Sequence, residues 1–133
     1  MNKDKLVTLT RKEVLELMAE SKDLNGIDAR KANLVKLDFS GYNLRNVNFS
    51  YANLKDAIFR DADLSAASLW NANLEGADFT NANLEDADLD YAKLRGANLY
   101  RANIRRASLP TELIPREDIM SSVENGSKVG QKR

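Results

Sequence analysis

Large apolar residues recur at every fifth position along most of the chain: Leu34, Phe39, Leu44, Phe49, Leu54, Phe59, Leu64, Leu69, Leu74, Phe79, Leu84, Leu89, Leu94, Leu99, Ile104 and Leu109. Two residues before each stands a second apolar position, filled by Leu37, Tyr42 and Val47 early on and by alanine without interruption from Ala52 to Ala107. Between the two sits mostly Asn, Asp or Ser. A period of five fits neither ordinary element. On an α-helix each such step advances about 140° and scatters the leucines around the axis; on a straight strand, whose side chains alternate, it throws successive leucines onto opposite faces. The chain must therefore turn a corner in every quintet. Four quintets closing a square make a coil of about twenty residues with every leucine and alanine pointing to one interior.

Residues twenty apart should then be stacked neighbours. Phe39, Phe59 and Phe79 fall in one such column, and so do five charged pairs: Lys36/Asp56, Lys55/Glu75, Glu75/Arg95, Glu85/Arg105 and Asp86/Arg106. All five are opposite in sign, as cross-strand pairing favours. The expected fold is an all-β solenoid, a quadrilateral β-helix of about four coils over residues 32–109, roughly 20 Å tall at a spacing of about 4.8 Å per coil. Its core should include Leu34, Phe39, Phe59, Leu74, Phe79 and Leu94. Gly76 and Gly96 are expected at corners that need permissive dihedrals.

A solenoid exposes backbone groups and core at both ends, so its flanks should cover them. Thr10-Arg11-Lys12-Glu13 is a capping box, and Val14, Leu15, Leu17 and Met18 predict an amphipathic helix of about residues 11–21, ended by Asn25-Gly26. Residues 1–31 thus read as a cap and lead-in, with Ile27 and Asp28 already in the five-residue register. Pro110 and Pro115 break the pattern, and Ile119, Met120 and Val123 predict a short second helix, so residues 110–133 read as a C-terminal cap followed from about Glu124 by a mobile tail.

Quintets such as Ala52-Asn53-Leu54, Ala62-Asp63-Leu64, Ala82-Asn83-Leu84 and Ala97-Asn98-Leu99 resemble the pentapeptide-repeat family, whose motif is approximately A-(D/N)-L-x-x. The resemblance covers residues 32–109 and implies a right-handed four-sided β-helix. It implies little about activity: family members abound in cyanobacteria, and one branch resembles DNA and protects or inhibits the type II topoisomerase gyrase. The first coil departs from the motif at Leu37, Tyr42 and Val47, which predicts a wider coil packed against the N-terminal helix.

Composition narrows the function classes. Twenty basic residues balance twenty acidic ones, which disfavours a general nucleic-acid binder and a strongly acidic DNA mimic alike. With no cysteine and no histidine, disulfides, thiolate metal sites and the usual groups of acid, base and nucleophilic catalysis are excluded. No apolar run has the roughly 20 residues that cross a bilayer, and the start lacks a secretory signal, so a cytoplasmic protein without membrane contact is expected. The carboxylates of Asp61, Asp63, Asp86, Asp88 and Asp90 lie on a convex surface that neither raises a pKa nor gathers ligands for a cation. No enzyme activity, metal or cofactor is expected.

The remaining signals are charge and outward aromatics. Residues 72–91 carry Glu75, Asp78, Glu85, Asp86, Asp88 and Asp90 with no base, whereas residues 92–111 carry Lys93, Arg95, Arg101, Arg105 and Arg106 with no acid. Salt pairing between these coils is the simpler reading and docking of a charged partner the other. Tyr51, Trp70 and Tyr91 occupy outward slots of one side in successive coils, beside Asp88 and Asp90, and Tyr and Trp favour interfaces. The expectation is a scaffold or adaptor that binds a protein of unidentified kind through its side faces, as a monomer more readily than an oligomer. The runner-up is a DNA-mimic modulator of gyrase.

Overall fold

The computed structural model describes residues 8–130. Its central feature is a stack of four-sided coils. Every parallel bridge joins residue i to residue i+20, from Asp23↔Asn43 to Asp88↔Ser108. Each side contributes one bridging residue rather than an extended strand, because two residues on either side of it are already committed to corners.

The corner has a fixed construction. The N–H at the small inward position donates to the carbonyl of the preceding large one, as in Ala57 N–H to Leu54 at 3.0 Å, closing a β-turn. The third residue of each turn has positive φ, from Gly26 through Tyr51, Ala66 and Tyr91 to Arg106, as a type II turn requires. Gly76 and Gly96 do lie at corners with φ of 71° and 79°. Dihedral freedom alone does not demand glycine there, since most corners hold other residues. At Gly76 a Cβ would run into the Asp56 carboxylate of the coil above.

Asn and Asp at the bridging position brace the turn that follows. Their Oδ1 accepts the backbone N–H two residues on, as in Asn43 to Arg45 at 3.1 Å, Asp63 to Ser65 at 2.9 Å and Asn98 to Tyr100 at 2.9 Å. These are Asx turns, which explains the preference for these residues before each leucine.

The interior is apolar throughout, with Leu34, Phe39, Phe59, Leu74, Phe79 and Leu94 fully buried. Phe39 and Phe59 stack at 5.3 Å and Phe59 and Phe79 at 4.9 Å, with nearly parallel rings in both cases. Ala57 and Ala77 in the small slots leave room for the rings of Phe59 and Phe79.

Helix α1 spans Arg11–Glu20, with Thr10 as N-cap and both arms of the capping box formed with Glu13. It buries Val14 and Leu17 in the core, and Leu9, just before the helix, is buried with them. The helix ends at Glu20, close to the expected residue 21, but two other expectations change. Its C-cap is Ser21, and Asn25-Gly26, expected to end the helix, forms the first corner of the tower. The ladder correspondingly opens at Asp23 rather than at residue 32. The motif hides this quintet because large and small residues exchange places: Ile27 fills the small slot and Ala29 the large one, and both are fully buried.

Helix α2 spans Arg116–Asn125 and closes the other end with buried Ile119 and Ser122. The expected mobile tail is instead docked as far as Gly130. Val129 is fully buried, accepts from Gly96 N–H at 2.7 Å and donates to the Ala97 carbonyl at 3.0 Å. It takes the place of the next coil, so the backbone groups of Gly96 and Ala97 order it. Among the described residues no helix is long and apolar enough to cross a membrane.

Candidate functional site

The side that bridges at Asn48, Ser68, Asp88 and Ser108 carries all five residues singled out for docking. Tyr51 and Tyr91 are corner residues with φ of 62° and 61°, and Trp70 is the turn residue immediately before a corner. This offset produces a zigzag. Trp70 lies between the two tyrosines, 5.1 Å from the Tyr51 ring and 5.9 Å from the Tyr91 ring, edge-to-face with both at 81°. The backbone holds the same register, since Tyr51 N–H donates to the Trp70 carbonyl at 2.9 Å. Tyr51 and Tyr91 are each 48% exposed while Trp70 is half-buried between them.

Magnitudes bear on whether this ladder serves stability. Each edge-to-face pair contributes about 0.5–1.5 kcal/mol, and each tyrosine in the left-handed region costs about 1–2 kcal/mol. The two roughly cancel. Other non-glycine corners carry the same strain, so strain does not mark the site; the collection of three outward rings does.

Asp88 and Asp90 flank the lower end of the ladder. Asp88 Oδ1 accepts the Asp90 N–H at 3.0 Å, and Asp90 Oδ1 accepts the Ser108 hydroxyl. Asp88 is thus committed to bracing its turn. Beneath Tyr91 lies a cavity of about 290 Å³ lined by Asp90, Tyr91, Ser108 and the segment that leaves the tower, residues 109–113. Tyr100 lies elsewhere: its ring contacts the Arg101 guanidinium at 5.1 Å and faces Gly126 of the C-terminal cap.

Two acids and two bases of the last two coils pair with one another. Arg106 meets Asp86 at 2.8 Å and Glu85 at 3.6 Å, and Arg105 meets Glu85 at 3.9 Å. The hydrogen bond from Arg106, and then its charge, hold the Asp86 carboxyl below the usual range and raise Arg106 in turn. Of the five pairs twenty apart, two form ion pairs within 4.0 Å among the described residues.

A second contact register was not anticipated from the sequence. Arg45–Asp63 at 3.8 Å, Arg60–Asp78 at 3.2 Å, Ser50–Ser68 at 2.6 Å and Asp90–Ser108 all join a turn residue to the bridging residue eighteen positions later. This diagonal arises because the side chain preceding a corner leans back across the side below. Scanning the sequence at offset eighteen as well as twenty would have shown it.

Comparison with known proteins agrees with this architecture. The family model of pentapeptide repeats matches residues 23–61, 57–96 and 82–110, more than half of the chain. A pentapeptide repeat protein of the cyanobacterium Cyanothece 51142 is 36% identical, with a TM-score of 0.62, over 62% of this chain and 56% of that one. A pentapeptide repeat protein from the Arabidopsis thaliana thylakoid lumen is 32% identical, with a TM-score of 0.57, over 69% of this chain and 57% of that one. The chain spans a little over half the length of these two relatives. No curated protein matches it.

Proposed function

The chain belongs to the pentapeptide-repeat family, and from that premise we propose that it is a non-catalytic cytoplasmic scaffold or adaptor that binds a protein partner through the face bearing Tyr51, Trp70, Tyr91, Asp88 and Asp90. The observation that carries this reading is the edge-to-face ladder of three outward aromatic rings on a rigid side. Aromatic side chains supply large contact area, and a face already fixed by backbone bridges loses little entropy on binding. Supporting the non-catalytic part, Asp63 and Asp88 brace Asx turns and Asp86 pairs with Arg106, on a convex and solvated surface.

The alternative, a DNA-mimic modulator of gyrase, gains no observation in its favour. Within the acidic coil Glu85 and Asp86 are paired with Arg105 and Arg106 directly below, and Asp78 with Arg60 above, which interrupts the anionic surface such a mimic needs.

The test compares variants on a captured partner. Trp70→Ala should weaken binding about tenfold or more, the scale of an aromatic anchor, while Lys55→Ala on another side should leave it unchanged. Equal binding by both variants would sink the assignment of this face.

A further inference from the structure

The cavity below Tyr91 has a composition that selects its occupant. Its walls are the Tyr91 ring, Leu109, Pro110 and Leu113 on the apolar side, and the carboxylates of Asp90 and Glu112 on the polar side. No lysine or arginine lines it. Among the described residues neither carboxylate is ion-paired. At about 290 Å³ it lies at the small end of ligand sites, which suits one long side chain rather than a drug-sized molecule. Leu113 is 58% exposed, the most exposed large apolar side chain among the described residues.

We infer that this cavity receives an arginine side chain of the protein partner. The inference rests on the docking face proposed above and extends it downward by one subsite. An arginine combines the features the walls call for: an apolar stem to cover Leu113 and Pro110, a flat cation that stacks on a tyrosine, and a fork of donors for a carboxylate. Asp90 is already oriented for this task. Its Oδ1 is held by the Ser108 hydroxyl, and no hydrogen bond among the described residues engages Oδ2. The loop bearing Glu112 and Leu113 is held as well, by bonds from the Leu113 and Ile114 N–H groups to the Pro110 carbonyl at 3.0 and 3.1 Å. The cavity therefore exists before the guest arrives, and continuity through Tyr91 places the arginine next to whatever covers Trp70.

The test needs no knowledge of the partner. The full-length ¹⁵N-labelled chain is titrated with a capped Gly-Arg-Gly peptide, and in parallel with the same peptide carrying citrulline, which keeps the shape and loses the charge. Millimolar binding of the arginine peptide is expected, with amide shifts gathered at Asp90, Tyr91 and residues 108–113. Citrulline should lose most of it, and Asp90→Asn and Glu112→Gln should each weaken it about threefold, the scale of one exposed ion pair. Lys55→Ala, on another side, should leave this titration unchanged; the docking face is read instead by Trp70→Ala on the captured partner, so the two readings fail separately. Equal binding of the two peptides, or shifts spread over every acidic side of the tower, would overturn the inference.

Discussion

The two ends of the tower are closed by different chemistry, and the polarity of the stack explains why. In each quintet two N–H groups point to the following coil and one to the preceding coil: Leu34 and Lys36 donate to Asn53 and Lys55, while Asn53 donates back to Ala32. The first coil is therefore left mainly with free carbonyls and the last mainly with free N–H groups. The N-terminal lid supplies donors. Leu9 N–H binds the Asp28 carbonyl at 2.8 Å, and the Arg11 guanidinium binds the carbonyls of Asn33 and Val35 at 3.2 and 3.0 Å. The C-terminal lid supplies acceptors. Gly96 N–H reaches the Val129 carbonyl, Leu99 N–H the Ser122 hydroxyl at 2.8 Å, and Arg101 N–H the Val123 carbonyl at 3.0 Å. A lid for such a solenoid must match the sign of the end it covers, beyond being amphipathic.

The largest effect should come from the coils between the lids, which both ends depend on. Leu74→Lys buries an unpaired charge in the closed interior, at a cost of about 5 kcal/mol or more, comparable with the whole stability of a small domain. Loss of the cooperative thermal transition is expected. Glu75→Lys, one residue along and partly exposed, should stay within about 0.5 kcal/mol. Similar melts for the two would contradict the inward assignment of Leu74.

The lids themselves can be compared directly. Ser122→Ala removes the acceptor from a buried N–H, worth about 1–3 kcal/mol, and should lower Tm by roughly 5–10 °C. Arg11→Ala removes donors from carbonyls that water can reach, so its cost should be smaller, about 1 kcal/mol. Calorimetry giving the reverse order would show that the N-terminal end is the drier one.

The smallest effect concerns the exposed pair between the last two coils. Arg106→Ala should return the Asp86 carboxyl toward its ordinary value, which a carbon-detected NMR titration reads directly. Because folding lowers this pKa, the stabilisation is present above the ordinary carboxylate value and disappears as pH falls through the lowered one. The melts of variant and parent should therefore differ slightly at neutral pH and converge in acid.

The five-residue spacing of Leu34 to Leu109 by itself determined the inward positions, the four-sided coil, the offset of twenty and the stacking of Phe39, Phe59 and Phe79, because each follows from period and size alone. It also placed Tyr51, Trp70 and Tyr91 on one side, since outward slots inherit the same arithmetic. Tertiary structure decided what depends on direction in space. The lean of a turn side chain across the coil below created the offset of eighteen and set Trp70 between the tyrosines. The exchange of Ile27 and Ala29 conserves volume and so admits a quintet that the motif rejects. The tail rich in Ser, Gly and Lys is docked through Val129 because the last coil's unpaired N–H groups and carbonyls need partners, a demand that exists only once the coils have stacked.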